Sequence, residues 1–162
     1  MKTLKKLFPA LALAGITFLY ACGGSGSASS GDSTSTAASA TAADIDPAAK
    51  SDSKGIGRFT SVQLGAIDPA MAEKGQTIFA AKCAACHKVT DQKVVGPGLK
   101  GVTERRTPEW IMNQITNPAE MEQKDPVGKA LLEKHLTQMT FQNVNDDETR
   151  QILEFLRQND KK

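Results

Sequence analysis

Five consecutive residues, Cys83-Ala84-Ala85-Cys86-His87, constrain this chain more than any other stretch. Two thiols three positions apart, followed at once by an imidazole, match the signal by which c-type haem is attached. The spacing has a chemical reason. Each thiol adds across one vinyl group of a porphyrin, and a two-residue gap lets both sulfurs reach neighbouring vinyls. The adjacent His87 then offers its imidazole to the iron as the proximal ligand. Two other chemistries use the same residue types. A structural zinc site wants four ligands, usually in two spaced pairs, and only Cys22 and His135 remain to complete one. A thioredoxin-like dithiol follows a βαβ pattern, and none precedes Cys83.

The N-terminus carries an address. Lys2, Lys5 and Lys6 form a positive region, and an apolar run from Leu7 to Tyr20 follows. That run is short for a membrane span and has the form of a secretory signal. It ends in Leu19-Tyr20-Ala21-Cys22, which resembles the lipobox of bacterial lipoproteins, where cleavage precedes a cysteine that carries lipid. Residues 1–21 are therefore expected to be a signal peptide and Cys22 a lipidated residue. Two or more acyl chains hold a protein stably on a membrane, whereas one is marginal. The expected compartment is extracytoplasmic, on a membrane facing the periplasm, which is also where bacterial c-type haem is attached.

From residue 22 to residue 67 the chain is mostly Ser, Ala, Gly, Thr and scattered Asp, and the first large apolar residues past Tyr20 are few. Such a composition buries too little surface to offset its ordering entropy, and it reads as a flexible tether. Flexible-chain scaling gives it a mean reach of ~35–40 Å. The chain has 20 basic residues, and without the three leader lysines 17 remain against 18 acidic ones, a net charge of −1. No long basic run remains, which excludes the usual nucleic-acid footprint.

Residues 68–162 are long enough for one small domain. Their pattern predicts an all-α fold of about four to five helices around one haem, with little period-two alternation. The first helix starts at Asp68-Pro69, with Asp as cap and Pro in the first turn. It carries Met71, Gly75, Ile78 and Phe79 on one side and runs to about Lys82. Gly96, Pro97, Gly98 and Gly101 make the stretch after His87 a loop. Thr107-Pro108-Glu109-Trp110 predicts a helix start, ending at Asn117-Pro118. A further helix is expected over Val127 to Lys134, and a last one opens at Asn145 or Asp146 with Glu148 in a capping box. Ile152, Phe155 and Leu156 form its apolar stripe.

With the CAACH motif, the Gly96-Pro97-Gly98-Leu99 loop, Gly75-x-x-x-Phe79 and a terminal helix bearing Phe155, the sequence resembles the class I monohaem cytochrome c family. The resemblance implies that first and last helices cross, with Gly75 admitting the close approach and Phe79 meeting Phe155. It implies that the Pro97 carbonyl accepts from the proximal imidazole, fixing ring orientation and raising its basicity. In relatives an aromatic or arginine donates to a haem propionate, which makes Trp110, Arg105 and Arg106 candidates for that contact. The distal ligand is expected to be Met139, in the link between the last two helices, although Thr140 stands where the family commonly has proline. His135 is the alternative, and Met112 and Met121 read as packing and as a weaker candidate. With both axial positions filled the chain is expected to be an electron carrier rather than an enzyme, a monomer meeting transient redox protein partners and bound to a membrane through its lipid. The competing reading is a haem protein with an open distal site that takes up a small gas or peroxide.

Overall fold

The first and last helices form the frame on which the rest is hung. In the computed structural model, residues 45–162 are described. The leader, Cys22 and the first half of the expected tether fall outside the described residues. Helix α1 spans Pro69–Lys82, and the Asp68 carboxylate accepts from the amides of Ala70 and Met71 at its start. Helix α6 spans Asp146–Asn159, opened by a reciprocal capping box between Asn145 and Glu148. The two helices pack along much of their length. At Gly75 the gap is so small that a Cβ would run into the Gln151 carbonyl of α6. Next to it the Phe79 and Phe155 rings sit 5.4 Å apart at a 53° tilt. Such an aromatic pair contributes about 0.5–1.5 kcal/mol beyond its buried area.

Four shorter helices close the domain: α2 (Val102–Arg105), α3 (Pro108–Thr116), α4 (Pro118–Lys124) and α5 (Pro126–His135). Among the described residues there are thus six helices and no strand, against an expectation of four to five helices. The excess comes from α2 and α4, which were read as connections. Pro118 does end α3, as its restriction on Asn117 requires. It also supplies the first residue of α4, a position where a proline loses no hydrogen bond. Met121 therefore lies on a helix and is fully buried. The core joins Phe79 with Trp110, Met112, Met121, Ile152 and Phe155.

The expected boundary at residue 67 needs correction. Residues 45–67 are not tether but an irregular strap laid on α3, α4 and α6. Arg106, buried at 5% exposure, donates to the carbonyls of Pro47 and Ala49. Asn113 accepts from Phe59 N at 3.0 Å and donates to the carbonyls of Lys54 and Phe59. Glu109 accepts from Val62 N, and Ser53 donates to Asp125. Ile56, Phe59 and Val62 pack against the core. The strap's backbone groups are satisfied by side chains of the domain rather than by its own secondary structure, so neither helical nor strand periodicity marks it.

The strap joins α1 at a buried charge. Glu154 has no exposed surface and accepts from Asp68 N at 2.9 Å, from Arg157 and from Arg150. Burial alone would push its carboxyl up, but the Arg150 side chain, the Asp68 amide and Arg157 outweigh it and hold the group below the usual carboxylate range. A lowered folded-state pKa means that ionised Glu154 contributes stability in full above the unfolded value of about 4.3, lost as pH falls through the folded value. Urea unfolding of the wild type and Glu154→Gln should differ most above about pH 5 and converge in acid. Pairing curves that stay parallel down to low pH would contradict this assignment. For the strap, Arg106→Ala should speed amide exchange of residues 48–51 by about tenfold or more while leaving α1 and α6 protected. Equal protection in the variant would mean that Arg106 does not pin the strap.

Candidate haem site

Helix α1 delivers the CAACH motif directly. Its ladder continues past Lys82, because Cys83 N donates to Phe79 O at 2.8 Å. The chain then turns tightly, with Cys86 N and His87 N both donating to Cys83 O, at 3.1 and 2.9 Å. Both cysteines are free thiols, Cys83 half-buried and Cys86 exposed. Burial pushes the Cys83 thiol up, partly offset by Lys82. The loop that follows doubles back on the motif: Gly96 N donates to Cys86 O at 3.0 Å and Leu99 N to Lys88 O at 2.8 Å.

This return fixes the imidazole. The Pro97 carbonyl lies 2.9 Å from His87 Nδ1, so the ring donates through Nδ1–H and keeps its Nε2 lone pair for another partner. Gly96 makes the approach possible. A Cβ there would collide with His87 Cε1 and stand 2.9 Å from Nδ1. The stretch Gly96-Pro97-Gly98 is thus a mould for one ring orientation.

Met139 lies half-buried on the irregular segment between α5 and α6. Its amide donates to Glu122 Oε1 of α4 at 2.7 Å, and its Sδ lies 3.7 Å from Gln114 Nε2 of α3. His135, the alternative, closes α5. It is half-buried, and its Nδ1 has no hydrogen-bond partner. Burial, with the charges of Lys93, Lys134 and His87, holds it below the usual imidazole range. Met121 is committed elsewhere, its Sδ accepting from Ile56 N, and Met112 is buried in the core.

The three residues expected near a propionate have other partners. Trp110 spends its single N–H on Asp125 Oδ1, at 2.9 Å, in a buried bond. Arg106 stacks on the Trp110 ring at 5.3 Å and donates to the strap. Arg105, partly exposed, donates to Lys100 O at 2.6 Å. Trp110 and Arg106 thus bond to Asp125 and to residues 47–49. Sequence reasoning missed Gln114 and Glu122, polar residues within α3 and α4, and Asp125, the cap between α4 and α5. The signal available for Asp125 was its place before Pro126 as a helix cap, since it also accepts from Gly128 N. Among the described residues no group of three or more His, Cys, Asp and Glu side chains could hold a metal ion by itself. The zinc alternative on Cys83, Cys86 and His87 thus lacks its completing ligands there.

Comparison with known proteins agrees with this geometry. The cytochrome c family model matches residues 72–160. A solved cytochrome c from Rhodothermus marinus is 42% identical, with a TM-score of 0.63 over 65% of this chain and 90% of its own. A cytochrome c-553-like protein of Synechocystis is 39% identical over 46 residues, 28% of this chain and 44% of that protein. Cytochrome c-551 of Stutzerimonas stutzeri is 51% identical over 41 residues, 25% of this chain and 38% of that protein. The match thus spans less than half the length of these two curated relatives. The chain belongs to the cytochrome c family, as a class I monohaem member, and its cofactor is one covalently bound haem c. The residues present fit that group: two free thiols at the attachment spacing, an imidazole oriented through Nδ1, and a thioether on a separate segment.

Gly96→Ala should crowd His87 out of its mould. The expected result is a lower yield of haem-bearing protein and a loss of about 1–3 kcal/mol in stability, read by absorbance and by denaturant unfolding. A variant with wild-type haem content and stability would show that the ring tolerates the extra atom.

Proposed function

We propose that this chain is a membrane-tethered carrier of single electrons between extracytoplasmic redox proteins. Cys83 and Cys86 hold the haem, and His87 and Met139 bind its iron. The observation that carries the reading is the His87 Nδ1–Pro97 carbonyl contact of 2.9 Å, which leaves the other ring nitrogen available and aimed by the fold. When bound, the haem supplies an iron that alternates between ferric and ferrous states, taking up or giving up one electron. The chain's own residues set the conditions. The Pro97 carbonyl draws on Nδ1–H and makes the imidazole a stronger donor. A neutral thioether favours the ferrous state and a higher potential. With both His87 and Met139 bound to it, the iron would have no position left for a substrate, and the role would be transfer and not bond chemistry.

The exposed side chains around the motif suit brief encounters. Cys86 is exposed, and Val94, Val95 and Phe141 stand 43–48% exposed on the loop after His87 and the segment after Met139. Small, partly apolar contacts of this kind are usual for redox partners that must separate quickly. Membrane attachment rests on the lipobox-like Leu19-Tyr20-Ala21-Cys22 and two or more acyl chains. Among the described residues no helix is long and apolar enough to cross a membrane.

Absorption spectra of the haem-bearing protein, oxidised and reduced, test the assignment. A c-type spectrum with a far-red methionine-to-iron charge-transfer band, lost in Met139→Ala, is the expected result. A spectrum without that band, or one altered by carbon monoxide in the wild type, would replace the carrier by a ligand-binding haem protein.

A further inference from the structure

The end of α6 holds the loop that carries Pro97 to His87. Residues 86–90 and 96–100 run side by side, joined by Gly96 N on Cys86 O, Leu99 N on Lys88 O and Lys100 N on Thr90 O. Two consecutive, half-buried residues of α6 take one run each. Asn159, the last residue of the helix, donates from Nδ2 to Val89 O at 3.0 Å. Asp160 accepts from Gly101 N at 2.7 Å through one carboxylate oxygen. Its other oxygen accepts from Thr103 N at 2.9 Å and from Thr103 Oγ1 at 2.8 Å. A helix start is commonly capped by its own side chain. Gly101, at the start of α2, has none to offer, and the capping carboxylate comes instead from 59 residues further along the chain. Pro97 thus sits between a bond to the haem motif at Gly96 and a bond to α6 at Gly101.

We infer that Asn159 and Asp160 are positioning residues for the proximal imidazole, acting on it through the Pro97 carbonyl. This rests on the reading of His87 as the proximal ligand. The carbonyl raises the basicity of the ring only while it stays at hydrogen-bond distance and direction. Freeing either run from α6 lets Pro97 O swing away from Nδ1 and leaves the ring a weaker donor. The electron-poor ferric state loses more by that than the ferrous state, so the reduction potential rises. The crossing at Gly75 then has two outputs. From it α1 leads to the thiols and α6 leads to the loop that aims the ring, so both are set from one contact.

The test is an equilibrium redox titration of the haem-bearing full-length chain, with NMR of isotope-labelled histidine in the ferrous form of the same samples. Asn159→Ala changes no charge, so its midpoint reads the loop alone. It should raise the ferrous-to-ferric ratio at fixed ambient potential by about two- to tenfold, tenfold being about 59 mV for one electron. Exchange of His87 Nδ1–H with water should quicken by about tenfold. Asp160→Ala should do the same and also speed amide exchange at Gly101 and Thr103. If it accumulates no haem-bearing protein, Asp160→Asn keeps one acceptor and should lie between wild type and Asn159→Ala in Nδ1–H exchange. Variants that lose stability yet keep the wild-type midpoint and Nδ1–H exchange overturn the inference and leave His87 as ligand. A midpoint shift confined to the Asp160 variants is an effect of charge and overturns it equally. His87 ring protons without a haem ring-current shift in the wild type overturn the ligand assignment itself, and the inference with it.

Discussion

The close crossing of α1 and α6 at Gly75 is the contact on which the site depends. Where a Cβ would strike the Gln151 carbonyl, a bare Cα lets two backbones approach and brings Phe79 onto Phe155. The consequence reaches the haem motif through the covalent chain. Phe79 O accepts from Cys83 N, so the residue packed in the crossing also directs the first attachment cysteine. The position of the thiols is thus set by an apolar contact one turn earlier, and needs no separate scaffold.

A second fixed point is Asp125. One carboxylate oxygen accepts from Trp110 Nε1 and from Gly128 N, the other from Ser53 Oγ. Three parts of the chain that are far apart in sequence, the strap, α3 and α5, meet on one side chain with 1% exposure. A buried carboxylate without such partners would be costly, and with them it fixes a unique arrangement. Glu154 likewise ties α6 to the start of α1 by accepting from Asp68 N. The domain is small, and a small domain buries a lower fraction of its surface on folding. Satisfied buried acids do part of the work that a larger domain leaves to packing alone.

What could be read from the sequence follows from what is local. The caps at Asp68, Thr107 and Asn145 are set by neighbours within three residues, and each stands where the pattern puts it. The Gly75 and Phe79 spacing and the return of Pro97 toward His87 were legible through resemblance, because the motif ties them together. The strap was not legible. Its partners Asn113, Glu109 and Arg106 lie some fifty residues away, and a polar segment bonded to distant side chains has the composition of a free one. For Trp110 and Arg106 the donor type was visible in the sequence, but the protein partners Asp125, Pro47 and Ala49 were not.

The strap and the Met139 segment share their supports. Successive residues of a helix point about 100° apart, and α3 and α4 use this in the same way. On α3, Asn113 binds the strap while Gln114 faces Met139; on α4, Met121 accepts from the strap while Glu122 holds Met139 N. Each pair uses two adjoining faces of its helix, so the strap braces the same helices that hold the Met139 segment. Loosening residues 45–67 would leave the haem motif on α1 intact yet free α3 and α4 to shift. The segment that composition assigns to the tether therefore belongs, mechanically, with the segment that carries Met139.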